Sequence, residues 1–580
     1  MAENNRINVN QIDYRCPAYI RQTQHTKSIS VIGIDTEADR QGKMFMLCTA
    51  LGDIFTPADI PGCFFTRRYR SKKFVVYNIK YDEGAILQNL PKSVLDKLRS
   101  TNKCTHNGYR YFSIPRKMLK ISHGKNAVEI YDVAGFYAMS LEKASSKYLG
   151  EHKIDLDPKL FTKTYIEKNW HKIAEYCIQD SILTQKLAEN LIRKFEDFGV
   201  YPQKLYSTAY VSWQYFKSNC DIPLIKNIWN NHRRLIQYAM NSYNGGKFEV
   251  TEKGYDDYYE YDIVSAYPYE IRNLIDISHA YILHEKEYRK NCTYGFIDCE
   301  IKIPPEIFSP VAVKIGELNI YPVGLIRKCI TKTEYEYLKT VGCDIKIIDA
   351  YWIMTADRKK PFKDEIDRLI KVKDKYKKRN MKLDYMIIKI FLNSLYGKFV
   401  QLIPQGDRYR AGYNWNIIYG SVITANCRVR ISEMQQQYST VVAVHTDSII
   451  STAKLNFPEV GKLGDMVHEI SGKGVILGSG VYQIGNKTKF RGFDSGISLI
   501  DAIQKSKNTL KVIKTRPYSW REVVFHNWNT DLINRFTDIT KNVNIQFDKK
   551  RIWINDYTKF SEVLKRKVYS TAIPHFPYFY

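Results

Sequence analysis

The stretch DYMIIKIFLNSLYGKF at 384–399 constrains the fold of this chain more than any other. Read as a helix, it places Lys389, Asn393 and Tyr396 at i, i+4 and i+7, so that one face carries a cation, an amide and a phenol. Upstream, DEIDRLIKVKDKYKKRN (364–380) reads as a second, strongly basic helix, and KKRNMK supplies a turn between the two. An antiparallel pair with cationic inner faces is the prediction. A charge run by itself is usually a solvated helix face. A helix pair of this kind is what a triphosphate cradle needs, with Lys389 as a point charge and Lys377 as the candidate for a second phosphate contact.

Composition agrees with an anionic partner. The chain has 580 residues, enough for several domains, and 44% of them are hydrophobic, which marks a globular protein. Lys and Arg outnumber Asp and Glu by 88 to 61, a net charge of +27 that favours nucleic acid through counterion release. The 44 tyrosines offer faces on which unpaired bases can stack. The 11 cysteines include no C-x-x-C pair, so neither a zinc site nor a disulfide framework is signalled, and a reducing cytoplasm is expected. A polar start, MAENNRINVN, and the lack of a long apolar run predict no signal peptide and no membrane segment.

Three motifs in the first third place acids at ordered positions. In SVIGIDTEAD (30–39) Asp35 and Glu37 are two apart on a strand and face one side, as a pair that could hold Mg²⁺ would. Alone, two acids on a strand are more often a solvated surface. FVVYNIKYDEGAIL (74–87) leads into Asn78, Tyr81 and Asp82, and the helical IAEYCIQDSILTQKLAENL (173–191) sets Tyr176 and Asp180 one turn apart. In this order the set resembles the DEDDy 3′–5′ exonucleases, which have a ribonuclease H-like α/β fold. The resemblance implies that Asp35, Glu37, Asp82 and Asp180 bind two metals while Tyr176 orients the attacking water, and that Asn78 and Tyr81 lie with the DNA strand. Ser140 and Leu141 in MSLEKAS resemble the family's contact to single-stranded DNA.

The centre extends the resemblance to family B DNA polymerases. Tyr243, Gly245 and Gly246 in NSYNGGKFE match a Tyr-x-Gly-Gly element that approaches the template. YYEYDIVSAYPYEIRN (258–273) matches motif A except for Ala266, which implies metal binding by Asp262 and exclusion of a 2′-hydroxyl by Tyr267. K-x-x-x-N-S-x-Y-G at 389–397 is motif B, implying dNTP contacts by Lys389, Asn393 and Tyr396. Motif C falls on VVAVHTDS (441–448), where Asp447 matches the direct metal ligand and His445 replaces a more peripheral aspartate. Two divalent ions, Mg²⁺ or Mn²⁺, are implied at each acid site, and an imidazole beside one of them predicts a preference for Mn²⁺. Thr424 and Arg428 in ITANCRVRIS match a DNA-contacting element, and Lys487 or Lys489 in GNKTKFRGF (485–493) stands where a primer-terminus lysine is expected.

The chain is thereby identified as a family B DNA polymerase with a proofreading exonuclease. The implied fold is α/β and α+β multidomain, a ribonuclease H-like unit followed by a right-hand polymerase. The expected division is exonuclease 1–200, linker 201–250, palm 251–360 with a first insertion at about 285–355, fingers 361–399, palm 400–484 with a shortened second insertion at about 400–423, and thumb 485–580. Compact size points to the protein-primed branch, which replicates linear genomes of phages, adenoviruses and linear plasmids. That branch implies template and primer DNA as partners, with a terminal protein and a single-stranded DNA-binding protein as further ones. The short second insertion puts unaided strand displacement in question. Two other classes fit less of the pattern. A nuclease with an inactive polymerase-like body would need no triphosphate face, and a basic scaffold would need no spaced acids.

Overall fold

The computed structural model describes residues 7–17, 25–491, 498–506 and 509–575. Gly492 and Phe493 of the lysine-bearing stretch and the last five aromatic-rich residues lie outside the described residues. The N-terminal unit is built on an eight-stranded sheet whose central members, Val31–Ala38, Lys73–Val76 and Asn126–Asp132, run parallel. The strand Val31–Ala38 is buried along most of its length, as expected of a parallel strand covered on both faces. Helix Lys163–Glu196, N-capped by Thr162, lies across it. The approach is close enough that a Cβ on Gly33 would stand 1.9 Å from the Ser181 carbonyl oxygen. Only a glycine lets the helix settle there, and that contact carries Tyr176 and Asp180 over the strand acids.

A nine-stranded sheet forms the centre of the molecule. Along its main path lie Phe248–Val250, Val441–His445, Ser448–Ser451, Glu252–Ile263, Met466–Gly478, Val481–Ile484 and Lys487–Phe490. The border expected at 484/485 therefore falls inside a sheet, because Val481–Ile484 and Lys487–Phe490 form one antiparallel hairpin. The expected first insertion is a five-stranded sheet of Tyr281–His284, Asp344–Met354, Tyr294–Ile303, Val323–Thr331 and Pro574–His575. Helices Lys363–Lys378 and Lys382–Ser394 form the predicted pair, with the chain turning through Asn380 at φ 54°.

One expectation needs correction. Residues 201–250 are not a linker but carry helices Thr208–Asn219, Lys226–Asn231 and Arg233–Ser242. Their apolar faces are buried: Tyr215 stacks on Phe391 at 4.2 Å, and Ser212 donates to the Phe391 carbonyl. The second insertion is a small hairpin, Leu402–Gln405 with Arg408–Ala411, and Ile12–Asp13 from the N-terminus joins it as a third, parallel strand. Tyr14 then packs edge-on against Trp229 and Trp415.

The C-terminal unit returns to the N-terminal one. Helix Trp520–Phe525 inserts Trp520, Val523 and Val524, with Ile533 beyond it, into the core that contains Phe74, Leu95, Leu98 and Ile130. Each buried side chain of this kind contributes about 1.5–3 kcal/mol.

Candidate active sites

The first site forms where the long helix crosses the N-terminal sheet. Asp35, Glu37 and Cys177 bring one potential ligand atom each to within 4.8 Å of one another. Asp82 accepts a hydrogen bond from Thr36 Oγ1 at 2.9 Å, and burial followed by repulsion from Asp35 raises its carboxyl well above the usual range. Burial and then Asp180 push Asp35 up to about 7, and burial and then Asp35 raise Glu37. Among the described residues one cation answers this charge: Lys153 Nζ stands 2.5 Å from Asp180 Oδ2 and 3.1 Å from the Tyr176 hydroxyl. Asp180 Oδ1 is buried with no hydrogen-bond partner among the described residues. A set of mutually repelling carboxylates with an orphan oxygen fits divalent cations, which take oxygen ligands. On the rim, Asn78 is exposed in the left-handed region and Tyr81 is half-buried. Ser140 caps helix Leu141–Tyr148 through its hydroxyl, with Leu141 buried behind it.

The second site lies on the central sheet. Asp262 pairs with Ser448 across the strands, and Ile263 N donates to the Asp447 carbonyl at 2.9 Å, so the two acidic turns are tied together. Burial and then Asp447 raise Asp262 to about 7, and burial raises Asp447. Both turns use left-handed residues, Ser265 at φ 51° and Thr446 at φ 64°. Gly246 seats the second turn, since a Cβ there would meet Thr446 Cγ2 at 2.5 Å, and Thr446 N donates to the Lys247 carbonyl at 2.7 Å. Gly245 faces open space.

Three tyrosines from three separate motifs converge beside these acids. The Tyr267 and Tyr396 rings are 4.7 Å apart, and the Tyr396 and Tyr243 hydroxyls are 2.8 Å apart. Lys373, on the first basic helix, donates to Ser265 Oγ at 3.2 Å. Burial and then the neighbouring Lys389 and Lys377 hold its ammonium below the usual lysine range, which places three lysines in one field. Lys377, Lys389 and Asn393 themselves are exposed. Asp262, Asp447 and His445 line a cleft of about 950 Å³ that also takes in Glu260, Glu469, Lys487 and Lys489.

Comparison with known proteins now decides the family. Residues 65–407, well over half of the chain, match the family "DNA polymerase type B, organellar and viral". The chain belongs to that family. The curated "Probable DNA polymerase" of Ascobolus immersus is 23% identical over 435 residues, 65% of this chain. The chain spans only 35% of the length of that relative. Phi29 DNA polymerase, solved with primer-template DNA and incoming nucleotide, superposes with a TM-score of 0.63 at 16% identity, over 90% of this chain and 100% of that one. The same enzyme solved with single-stranded DNA gives 0.58 at 16% identity, over 85% and 96%. The fold of this type B chain is therefore the multidomain exonuclease-plus-right-hand arrangement.

Several motif residues take other roles than the sequence implied. Arg428 is fully buried: its guanidinium bonds Glu334 at 2.6 Å and the carbonyls of Asn244, Gly245 and Pro310 at 2.7, 3.0 and 3.0 Å. It holds the glycine loop and has no surface to offer DNA. Thr424 is likewise buried and bonds back to Gly420 and Ser421. Lys487 is engaged by Glu260 at 2.7 Å, whereas Lys489 is exposed on the cleft. His445 is buried, stacked on Tyr482 at 4.9 Å, and its Nε2 accepts from Gly480 N at 3.3 Å. Burial first, then the cations Lys550, Lys487 and Lys489, push it down to about 3, so the ring is neutral. With Nε2 occupied, the proton sits on Nδ1 and no lone pair remains for a metal, which removes the basis for a Mn²⁺ preference.

Sequence reading missed Lys153, Lys373 and the carboxylates Glu260 and Glu469. Lys153 and Lys373 carry no spacing signal of their own. A bulge between Glu260 and Tyr261 shifts the register against the strand bearing Glu469, which no residue pattern announces.

Proposed function

We propose that this chain is a template-directed DNA polymerase with a 3′–5′ exonuclease, each activity at its own acid site. The observation that carries the reading is the convergence of Asp262, Asp447, Tyr243, Tyr267 and Tyr396 beneath the lysine-bearing helix pair. Divalent ions held by Asp262 and Asp447, and by Asp35, Glu37, Asp82 and Asp180, would supply charge stabilisation for phosphoryl transfer. Lys389 and Lys373 set positive charge over the triphosphate, with Lys377 further out. Tyr267, braced by Tyr396, packs under the sugar and excludes a 2′-hydroxyl. In the first site Lys153 holds Tyr176 and Asp180 in register, so the phenol can orient water.

Family membership supports the reading, as do the printed subjects of the Phi29 structures, a polymerase with primer-template and with single-stranded DNA. We further propose protein priming, with the five-stranded insertion as the surface for a terminal protein and a single-stranded DNA-binding protein as an additional partner. The hairpin at 402–411 is too small to encircle DNA, so strand displacement needs help. Among the described residues no helix is long and apolar enough to cross a membrane.

Primer extension on a primed single strand tests the reading, in an Asp35→Ala/Glu37→Ala background that silences degradation. Extension with dNTPs that vanishes in Asp262→Ala and in Asp447→Ala is expected. No extension with Mg²⁺ or Mn²⁺, while the chain with intact exonuclease acids shortens the primer, would refute synthesis and leave a nuclease.

A further inference from the structure

A cleft of about 530 Å³ between the N-terminal unit and the C-terminal hairpin belongs to neither acid site. Helix Ile79–Leu87 lends it Lys80 and Glu83, the turn after Ile114 lends Arg116, and the C-terminal unit lends Lys514, Arg516, Arg521 and Glu522. Five cations thus face two carboxylates. Glu522 is fully used, held by both terminal nitrogens of Arg516 at 2.7 and 2.6 Å. Glu83 is buried and accepts from Ser113 Oγ, which in turn receives a hydrogen bond from Arg521 Nη2 at 2.6 Å. Among the described residues neither Lys80 nor Arg116 has an ion-pair partner.

One donor on the same wall also lacks an acceptor among the described residues: Arg521 Nε is buried without a hydrogen bond, whereas the Trp520 indole is turned to Glu83. Burial first, then Arg516, Arg116 and Lys514, hold the Lys80 ammonium below its ordinary range, with Glu522 opposing them. Cations on a solvated surface spread apart; here they converge in a concavity with an orphan guanidinium donor. Its complement is a ligand with several anionic oxygens at more than one position.

We propose that this cleft is a phosphate-binding site that seats consecutive backbone phosphates of a single nucleic-acid strand. Lys514 and Arg516, two apart on strand Leu510–Pro517, present their charges on one face and at successive positions, as a strand requires. Lys80 and Glu83 flank Asp82 on one helix, while the Asp82 carboxylate turns to the acid cluster. The end of a strand seated at the acids therefore lies about one helix diameter, roughly 10 Å, from the cleft. This anchoring role rests on the nuclease reading of the first site; the binding itself does not.

The test measures anisotropy of a 5′-fluorescein oligothymidylate across a salt series, with chelator present so that nothing is cleaved. The full chain is compared with Arg116→Glu/Lys514→Glu, and with the milder Arg116→Gln, after matching their thermal midpoints. The double variant is expected to bind about tenfold more weakly, with a salt slope shallower by about 1.4, at ~0.7 per single-strand phosphate. Arg116→Gln is expected to lose about half that slope. Unchanged affinity and slope in folded variants overturn the site. If tripolyphosphate binding responds to the variants and oligonucleotide binding does not, the strand assignment is overturned in favour of a free polyphosphate. An unmodified chain that binds no oligonucleotide overturns the nucleic-acid reading as well.

Discussion

Arg428→Met removes a fully buried cation that makes four hydrogen bonds in the polymerase half. Glu334 loses the partner of its Oε1 but keeps Oε2 on the Thr331 amide and hydroxyl, at 2.9 and 3.0 Å, where it closes the capping box of helix Lys332–Thr340. Three carbonyls, those of Asn244, Gly245 and Pro310, lose their donor at the same time. Removing one partner of a buried ion pair costs about 3–5 kcal/mol. Each stranded acceptor adds about 1–3 kcal/mol before water or relaxation reclaims it. A net loss of about 5 kcal/mol is the expectation, localised to the helix and the glycine loop.

Because a chain of several domains does not unfold in one step, the quantity to measure is local opening by native-state hydrogen exchange at 332–340 and 244–247. The cycle needs the parent, Arg428→Met, Glu334→Gln and the double variant. Neutralising Glu334 removes the charge that Arg428→Met strands, so the double variant should be more stable than additivity predicts by about 2–3 kcal/mol. Unchanged exchange in Arg428→Met, with DNA affinity reduced and its salt slope shallower by ~0.9, would refute the argument. That pattern belongs to an arginine on a phosphate, not one inside the protein.

The remaining expectations are simpler. Lys153→Ala should lower exonuclease turnover by ~100-fold or more, measured on a labelled single strand, while leaving primer extension intact. His445→Ala should cost about 2–3 kcal/mol from the cavity left between Tyr482 and Phe248. Its ratio of Mg²⁺- to Mn²⁺-supported extension should stay within about twofold of the parent, since no ring nitrogen is free for an ion. Lys398, pushed down to about 8 by burial and then Lys117, is deprotonated in the fold at a pH where the unfolded chain still holds its proton. Its contribution to stability therefore rises with pH between about 8 and 10.5, and Lys398→Met should flatten that part of the unfolding profile. Removing residues 1–16 should expose the 402–411 hairpin to protease, because Ile12–Asp13 and Tyr14 hold one side of it.

The fold was legible wherever a motif coincided with a turn or a helix face. Asp262 before Ser265, Asp447 after Thr446 and the Lys389 face each bind side-chain identity to backbone geometry, so spacing alone places them. The helices at 208–242 were not legible as a packed unit, because their apolar residues find partners such as Phe391 far along the chain. Arg428 was misjudged for a related reason. Its sequence context names an arginine near DNA-binding elements, whereas its role depends on Glu334, which stands on a helix from a different sheet region. The His445 ring was read as an open nitrogen donor, and only the Gly480 amide, supplied by a later hairpin, shows that it is occupied.

The shared core of the N-terminal and C-terminal units has a consequence for how the molecule is made. Ile130 and Trp520 pack in one cluster although 390 residues separate them. At ~5–20 residues per second, a ribosome needs roughly 20–80 s to deliver that tryptophan after the sheet it covers has emerged. Throughout that interval Leu95, Leu98 and their neighbours lack their lid. The nascent sheet is a natural client for a holding chaperone, and the emergence of Trp520, Val523, Val524 and Ile533 is the moment at which it can be let go.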